Sequence, residues 1–491
     1  MKAYVRDERV ASTDTSGWSS LPLVLVAAAI TSLAPWLIQL SLYRAVMTAL
    51  VVIITAGGLG RGCLPGLRPI QVVTFGFAFA YLGVAPIYQL SHRDAAWGDG
   101  RLMVLTNPDV DTALILNVVY ALTTLIAFEL TRQAPPAHSR SDIQPKLRIR
   151  LIAPWIFISS AVLLTPGAVA AAGGWGGMFT DRYARAEALA DAGITLSDSG
   201  GAAVAMVSLL PAALSVASLF LFTLHSISLR QDGSPIPTLQ ALGLVVALGL
   251  SVVHVNPLAT GRFLFAMAFG SVLMAVFRPR SGKAGIRFGG LVVLGTLVLY
   301  PLANVFRTDD YTFGGALETF ASPDFDGFQQ TVNAVAFEDT FGHSWGKYLI
   351  SALGFVIPRA IWQSKAIPAS EEVAAFRGYV FTNLSLPVNA ELFIEFGILG
   401  MIFLVFVASV WLGRMDQLWR HGSWSRLTAL VPLVAFAMLG VIRGPLGANG
   451  PIYLTVIGLA WIGIRGGSSS KTPINLNYDE TETTTGRNDR T

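Results

Sequence analysis

Twelve basic residues raise a chemical question before any helix is drawn. Arg44, Arg93, Arg101, Arg182, Arg185, Arg262, Arg307, Lys347, Arg359, Lys365, Arg377 and Arg443 fall in outward connections of the topology derived below, 12 of the 34 Lys and Arg residues. Ten of them are arginine, whose planar fork grips phosphate or carboxylate in a bidentate way. An outward arginine set suggests an anionic ligand at the outer leaflet; the alternative is interfacial arginines that snorkel or pair with carboxylates. Arg262, Arg359 and Arg443 each touch or interrupt an apolar stretch. The second such site reads GFVIPRAIWQSK over 354–365, with Pro358 before Arg359, Trp362 behind it and Lys365 closing the run.

Carboxylates for proton transfer accompany them: Asp309, Asp310, Glu318, Asp324, Asp326, Glu338, Asp339, Glu371 and Glu372, then Glu391 and Glu395. The i, i+4 spacing of the last two puts both on one helix face. Ionisable groups in membrane spans are expensive and ordinarily face a cavity. The alternative for Glu391 is an interfacial carboxylate paired with an arginine. His254 and His343 are also expected near the outer face. A lone membrane histidine is more often a bonded core residue than a catalyst. No phosphate-binding P-loop, dinucleotide fingerprint or H-E-x-x-H occurs, and no metal-ligand spacing. Asp324-Phe-Asp326 has the form of a metal-binding pair but falls on the outer side, where nucleotide sugars are scarce. The single cysteine, Cys63, excludes an internal disulfide.

The elements that position these residues follow from hydropathy. The 491-residue chain is 53% hydrophobic and 13% charged, about half the charge of a soluble domain. An all-α polytopic membrane protein follows. About twelve spans are expected, at 21–40, 43–60, 70–90, 111–131, 151–172, 202–228, 238–255, 261–277, 288–305, 389–412, 427–442 and 450–465. The first reads as an uncleaved span after a polar cytoplasmic N-terminus, 1–20. Lys and Arg concentrate in the even-numbered loops, so both termini are expected in the cytoplasm. Residues 21–465 form one membrane-embedded domain, and 466–491 read as a disordered cytoplasmic tail. The basic residues sit in short loops, which argues against nucleic acid as a partner. Between the ninth and tenth spans lies a long external segment, about 306–388, rich in aromatics and expected to fold. Within it 346–361 reads as an interfacial helix ended by Pro358, presenting Arg359 near the headgroup plane.

Several stretches together resemble a family. Asn256-Pro257 through Arg262-Phe263, Asn304 to Arg307, Phe325-Asp326-Gly327-Phe328, Ile357-Pro358-Arg359, and Asn383 through Pro387, Glu391, Glu395 and Gly400 appear in order. The set resembles the bacterial oligosaccharide repeat-unit polymerases, the Wzy class that builds O-antigen, capsule and exopolysaccharide. Arg182 and Gly193, ten residues apart in between, also resemble an Arg-x10-Gly pattern of such polymerases; Arg359 and Arg377 start no such pattern. The resemblance implies a glycosyltransferase of the bacterial cytoplasmic membrane, working at its outer face without metal or cofactor. Its substrates would be undecaprenyl-pyrophosphate-linked oligosaccharides, with a chain-length regulator and a flippase as possible partners. A lipid pyrophosphate leaving group needs positive charge as its bond breaks, and the acceptor hydroxyl needs a base. On that reading Arg262, Arg359 and Arg182, then Arg307, Arg377 and Arg443, bind pyrophosphate. Glu391, then Asp326, Asp339 and His343, serve the acceptor.

Two rivals stay open. An O-antigen ligase-like transferase would deliver glycan to a lipid core. A flippase or other transporter would carry charges deep within several spans and show repeat symmetry, whereas the span centres here are nearly charge-free.

Overall fold

The computed structural model describes residues 21–64, 66–93, 107–133, 148–180, 199–258, 260–279, 282–300, 318–379, 384–421 and 425–465. Nearly all of these are helical, and a helix lies on each of the twelve apolar stretches. Among the described residues, eight helices are long and apolar enough to cross a membrane. In chain order the helices are α1 (Leu21–Leu37), α2 (Leu42–Cys63), α3 (Pro69–His92), α4 (Asn107–Gln133), α5 (Ile152–Ala171), α6 (Ser199–Gln231), α7 (Thr238–His254), α8 (Arg262–Phe277) and α9 (Gly282–Leu294). Then come α10 (Gly327–Phe341), α11 (Lys347–Leu353), α12 (Ala369–Arg377), α13 (Val388–Arg420), α14 (Arg426–Arg443) and α15 (Leu446–Gly463). A two-residue antiparallel pair, Arg148–Ile149 with Ile464–Arg465, ties the start of α5 to the end of α15.

The apolar surface is partitioned as a bilayer requires. Side chains such as Leu163, Leu399 and Phe403 stand exposed on long apolar helices, while α3 is sheathed by protein over almost its whole length. α3 packs against α2, α14 and α9, and α4 packs along α13. Three π-turns interrupt helices, at Phe79–Val84, Ala266–Gly270 and Gly295–Leu299. In α3 the cause is local: Pro86 lacks an N–H and its ring crowds the carbonyl four residues back, so the chain widens just before it.

Ion pairs sort the helix ends into two groups. Arg61 and Arg132 both bond Glu129 at one end, whereas Arg44–Asp111, Arg262–Asp324 and Lys347–Glu372 lie in connections of the opposite parity.

Three expectations change. α13 runs to Arg420, so Arg414 and Arg420 are helical rather than part of a loop. The interfacial helix is shorter than 346–361: it ends at Leu353, five residues before Pro358, and the chain continues through turns in which Pro358 O accepts from Ile361 N and Trp362 N. Gly354 follows as the C-cap, and the Trp362 ring fills the space a Cβ there would need. The long segment is also less peripheral than its polarity suggests. Its helix α10 buries ten residues and packs on α4 and α13.

α13 is itself broken. Gly397 takes φ +69°, a left-handed value that glycine tolerates, and the His343 imidazole occupies the place of its missing Cβ. The carbonyls of Ile394 and Glu395, turned out by the break, accept from Ser344 N and Trp345 N, each at 2.9 Å. The Glu395 carboxylate accepts from Ser344 Oγ at 2.7 Å and from Leu349 N. The connection from α10 to α11 is thereby fastened to the first part of α13.

Candidate functional site

Arg262 owes its position to the turn before it. Asn256 donates from Nδ2 to Met178 O and Val253 O, and its Oδ1 accepts from Leu258 N. That turn starts α8 with Arg262 as its first residue. The guanidinium is almost fully enclosed: Nη1 donates to Tyr300 O at 2.7 Å and to Asp324 Oδ2 at 2.9 Å, and it lies 4.9 Å from the Tyr300 ring centroid. Asp326, two residues on, is 0% exposed and takes different partners. It accepts from Tyr81 Oη at 3.2 Å, Ser385 N at 3.2 Å and Ser385 Oγ. Tyr81 gets this close because residue 327 is glycine; a Cβ there would strike its ring at 2.3 Å. The Asp-x-Asp pair is thus divided between two clusters rather than converging on one point.

Arg443, the last residue of α14, bridges them. Its Nη2 lies 3.9 Å from Asp326 Oδ1 and donates to Pro323 O at 3.5 Å, with the guanidinium over Phe263. The next residue, Gly444, has φ +60°, and a Cβ on it would meet Leu386 O at 1.7 Å. Arg443 O accepts from Leu386 N. The chain entering α13 is therefore pressed against the chain leaving α14.

That entering segment collects the site. Ser385 bonds Asp326 and Tyr81. Asn389 Nδ2 donates to Asn117 Oδ1 of α4 at 2.9 Å. Glu391, 1% exposed, accepts from Leu446 N at 2.7 Å, the first amide of α15, where a carboxylate complements the helix dipole. Within seven residues the segment therefore touches Asp326, α4 and the N-terminus of α15. α10 adds amides: Asn333 Nδ2 donates to Gln330 Oε1 at 3.1 Å and to Tyr379 Oη at 3.2 Å, and Gln329 Nε2 donates to the same hydroxyl.

The region is rich in polar atoms with capacity to spare. Glu391 Oε1, Arg443 Nε, Gln330 Nε2, Asn333 Oδ1, Asn117 Nδ2 and Asn389 Oδ1 are buried without a hydrogen-bond partner among the described residues. Buried polar atoms are ordinarily satisfied, because an unmet donor or acceptor is costly. Those named here lie on α4, α10, α13 and α14, which places them on neighbouring elements.

The other expected residues lie elsewhere or have other tasks. Arg182 and Arg307 fall outside the described residues. Arg359 donates from Nη1 to Lys365 O at 2.7 Å and from Nη2 to Ala366 O at 3.1 Å, closing a surface strap. Lys365 Nζ donates to the carbonyls of Gly354, Phe355 and Ile357. Burial and the nearby Arg359 charge hold its ammonium below the ordinary lysine value. Arg377 ends α12 with its guanidinium over Phe376. His343 sits at the Gly397 break, its Nδ1 2.9 Å from Glu338 Oε1. Asp339 is exposed near the end of α10. The structure thus brings Arg262, Arg443, Asp326 and Glu391 to one quarter of the protein, and gives Arg359, Arg377 and His343 other partners, with Asp339 exposed.

Sequence reasoning passed over Tyr81, Ser385, Asn389 and the α10 amides. A signal existed: Gln329-Gln330-Thr331-Val332-Asn333 is flanked by Phe328 and Phe337, the pattern of a helix buried in protein rather than lipid. A second buried charge cluster was also missed. Arg68, 0% exposed, donates to Gln71 Oε1, Phe128 O, Thr131 Oγ1 and Gly413 O. Asp416, equally buried, accepts from Ile70 N and Gln71 N, the first amides of α3. No family model, no curated protein and no solved structure matches the chain.

Proposed function

We propose that this protein is a membrane glycosyltransferase that polymerises lipid-pyrophosphate-linked oligosaccharide repeat units at the outer face of a bacterial cytoplasmic membrane. What supports the reading is one observation: buried, uncommitted donors and acceptors surround a carboxylate–arginine pair, Asp326 with Arg443, at one end of an apolar helical bundle. A transferase with a lipid-linked donor needs that combination. Fixed positive charge stabilises a departing pyrophosphate in a site of low dielectric, and a buried carboxylate orients or deprotonates an acceptor hydroxyl.

On this reading Arg443, with Arg262 behind it, faces the pyrophosphate. Asp326 holds Arg443 in place, its oxygens being engaged by Tyr81 and Ser385. Glu391, with one oxygen on the α15 N-terminus and the other uncommitted, is the base for the acceptor. Both termini lie in the cytoplasm and the cluster faces outward. Arg359 and Lys365 serve the strap rather than the phosphates.

The test uses purified protein in proteoliposomes with the lipid-pyrophosphate-linked repeat unit of its own host, in EDTA. A ladder of products from the wild type, lost in Glu391→Gln and Arg443→Ala proteins that remain folded, is the expected result. Transbilayer movement of the unit without a ladder would make the protein a flippase. Transfer to an added lipid core in place of a second repeat unit would make it a ligase.

A further inference from the structure

Two pairs of buried amides share one hydrogen-bonding pattern. In the first, Asn389 Nδ2 donates to Asn117 Oδ1, leaving Asn117 Nδ2 and Asn389 Oδ1 uncommitted. In the second, Asn333 Nδ2 donates to Gln330 Oε1, leaving Gln330 Nε2 and Asn333 Oδ1 uncommitted. All four side chains are 0% exposed. Each pair spends one bond on itself, Asn333 Nδ2 giving a further one to Tyr379 Oη, and each keeps one amide nitrogen and one amide oxygen without a partner among the described residues. The pairs sit on α4, α10 and α13, and α10 packs against both of the others.

A donor beside an acceptor matches a hydroxyl, which gives and takes one hydrogen bond. Two such pairs match a molecule carrying several hydroxyls. Amides carry no charge, so they discriminate by hydrogen bonding and leave ionic recognition to Arg443 and Arg262. An amide pair kept only for packing would leave a donor and an acceptor unmet at each site, a cost that apolar side chains avoid. We infer that the Asn117–Asn389 and Gln330–Asn333 pairs form a subsite for the hydroxyls of an uncharged sugar, the acceptor residue of the repeat unit. The identity of that sugar as an acceptor rests on the polymerase reading; the amide subsite itself does not.

The test is direct binding. The probe is the free oligosaccharide released from the host's own polysaccharide by partial acid hydrolysis, titrated against detergent-solubilised full-length protein. Three proteins are compared: wild type, Asn117→Leu/Asn389→Leu and Gln330→Leu/Asn333→Leu. Each double variant is expected to bind about tenfold or more weakly, from the loss of two hydrogen bonds. Its unliganded unfolding temperature is expected to be unchanged or raised, because removing both partners of a buried polar pair is close to neutral. A structural role predicts the reverse, a lowered unfolding temperature with affinity kept. Should a double variant fail to fold, Gln330→Met conserves volume and leaves Asn333 bonded to Tyr379, and the same loss of affinity is expected of it.

Wild-type protein that does not bind the oligosaccharide, or variants that bind it as tightly, overturn the inference. A ladder in proteoliposomes together with either result keeps the polymerase and removes the amide subsite. Binding lost in the variants, with no ladder from the wild type, keeps the subsite and removes the polymerase.

Discussion

Glu391 and Asp416 stand on one helix, 25 residues apart, and each caps the N-terminus of a different helix. Glu391 accepts from the first amide of α15, and Asp416 from the amides of Ile70 and Gln71 in α3. Glu391 lies in the first turn of α13 and Asp416 four residues before its end, so they stand near opposite ends of that element. α13 is thus a post that locks one helix at each end. The carboxylates differ in what is left over: both oxygens of Asp416 are bonded, whereas Glu391 Oε1 has no hydrogen-bond partner among the described residues.

This difference separates a structural carboxylate from a functional one. Asp416→Ala removes the cap of α3 and the largest favourable charge acting on the enclosed Arg68 guanidinium, leaving Glu129 as the smaller one. A loss of about 3 kcal/mol is expected, near the low end for breaking a buried charge pair. It is read as a fall in the unfolding midpoint of the detergent-solubilised protein. The double variant Arg68→Met/Asp416→Leu should recover most of it, and a double variant no better than the single would show that the charges are not coupled.

Among the arginines a ranking follows from what each one touches. Arg443→Ala should lower product formation about a hundredfold, the scale of removing one charge-stabilising donor from a transferase site. Arg443→Lys should restore little, since an ammonium lacks the fork. Arg359→Ala should cost less than tenfold and instead admit proteases to the strap at 354–366. Equal losses at the two positions would return Arg359 to the pyrophosphate.

Gly444→Ala tests the contact between the segments entering α13 and leaving α14. A Cβ there meets Leu386 O at 1.7 Å on a left-handed backbone, so something must move. Product formation is expected to fall at least tenfold through displacement of Arg443 and Ser385, from strain of a few kcal/mol. Gly450→Ala serves as the control, because a Cβ there meets nothing within 4 Å.

The outer strap gives a pH prediction. Burial raises the Glu371 carboxyl above its ordinary value, and the positive charge of Arg359 opposes this. A raised folded value means that folding disfavours the ionised form. The penalty is present at neutral pH and is relieved as pH falls through the folded value toward the unfolded one, about 4.3. The wild type should therefore gain a little stability from pH 7 toward pH 5. Glu371→Gln should be slightly more stable at pH 7 and lose that gain. Unfolding midpoints across the range measure it, and a steeper acid gain in the variant would reverse the assignment.

Much of the fold was legible because lipid is an undiscriminating solvent: any run of about 20 apolar residues must become a helix there. Every such run did. Legibility stopped where protein replaces lipid as the surroundings. α10 carries Gln329, Gln330 and Asn333, so hydropathy places it outside, although it packs between α4 and α13. Pro358 reads as the end of a helix that stops five residues earlier, at Leu353. Asp326, Arg262 and Glu391 could be picked out by charge alone. Tyr81 and Ser385 could not, because their importance comes from contacts across 245 and 59 residues of chain.

The break at Gly397 has a kinematic consequence. The carbonyls released there are spent on Ser344 and Trp345, so the first nine residues of α13 are fastened to the outer layer more than to the rest of their own helix. A tilt of the helix beyond Gly397 would therefore be taken up at the joint, leaving Glu391 in register with α15.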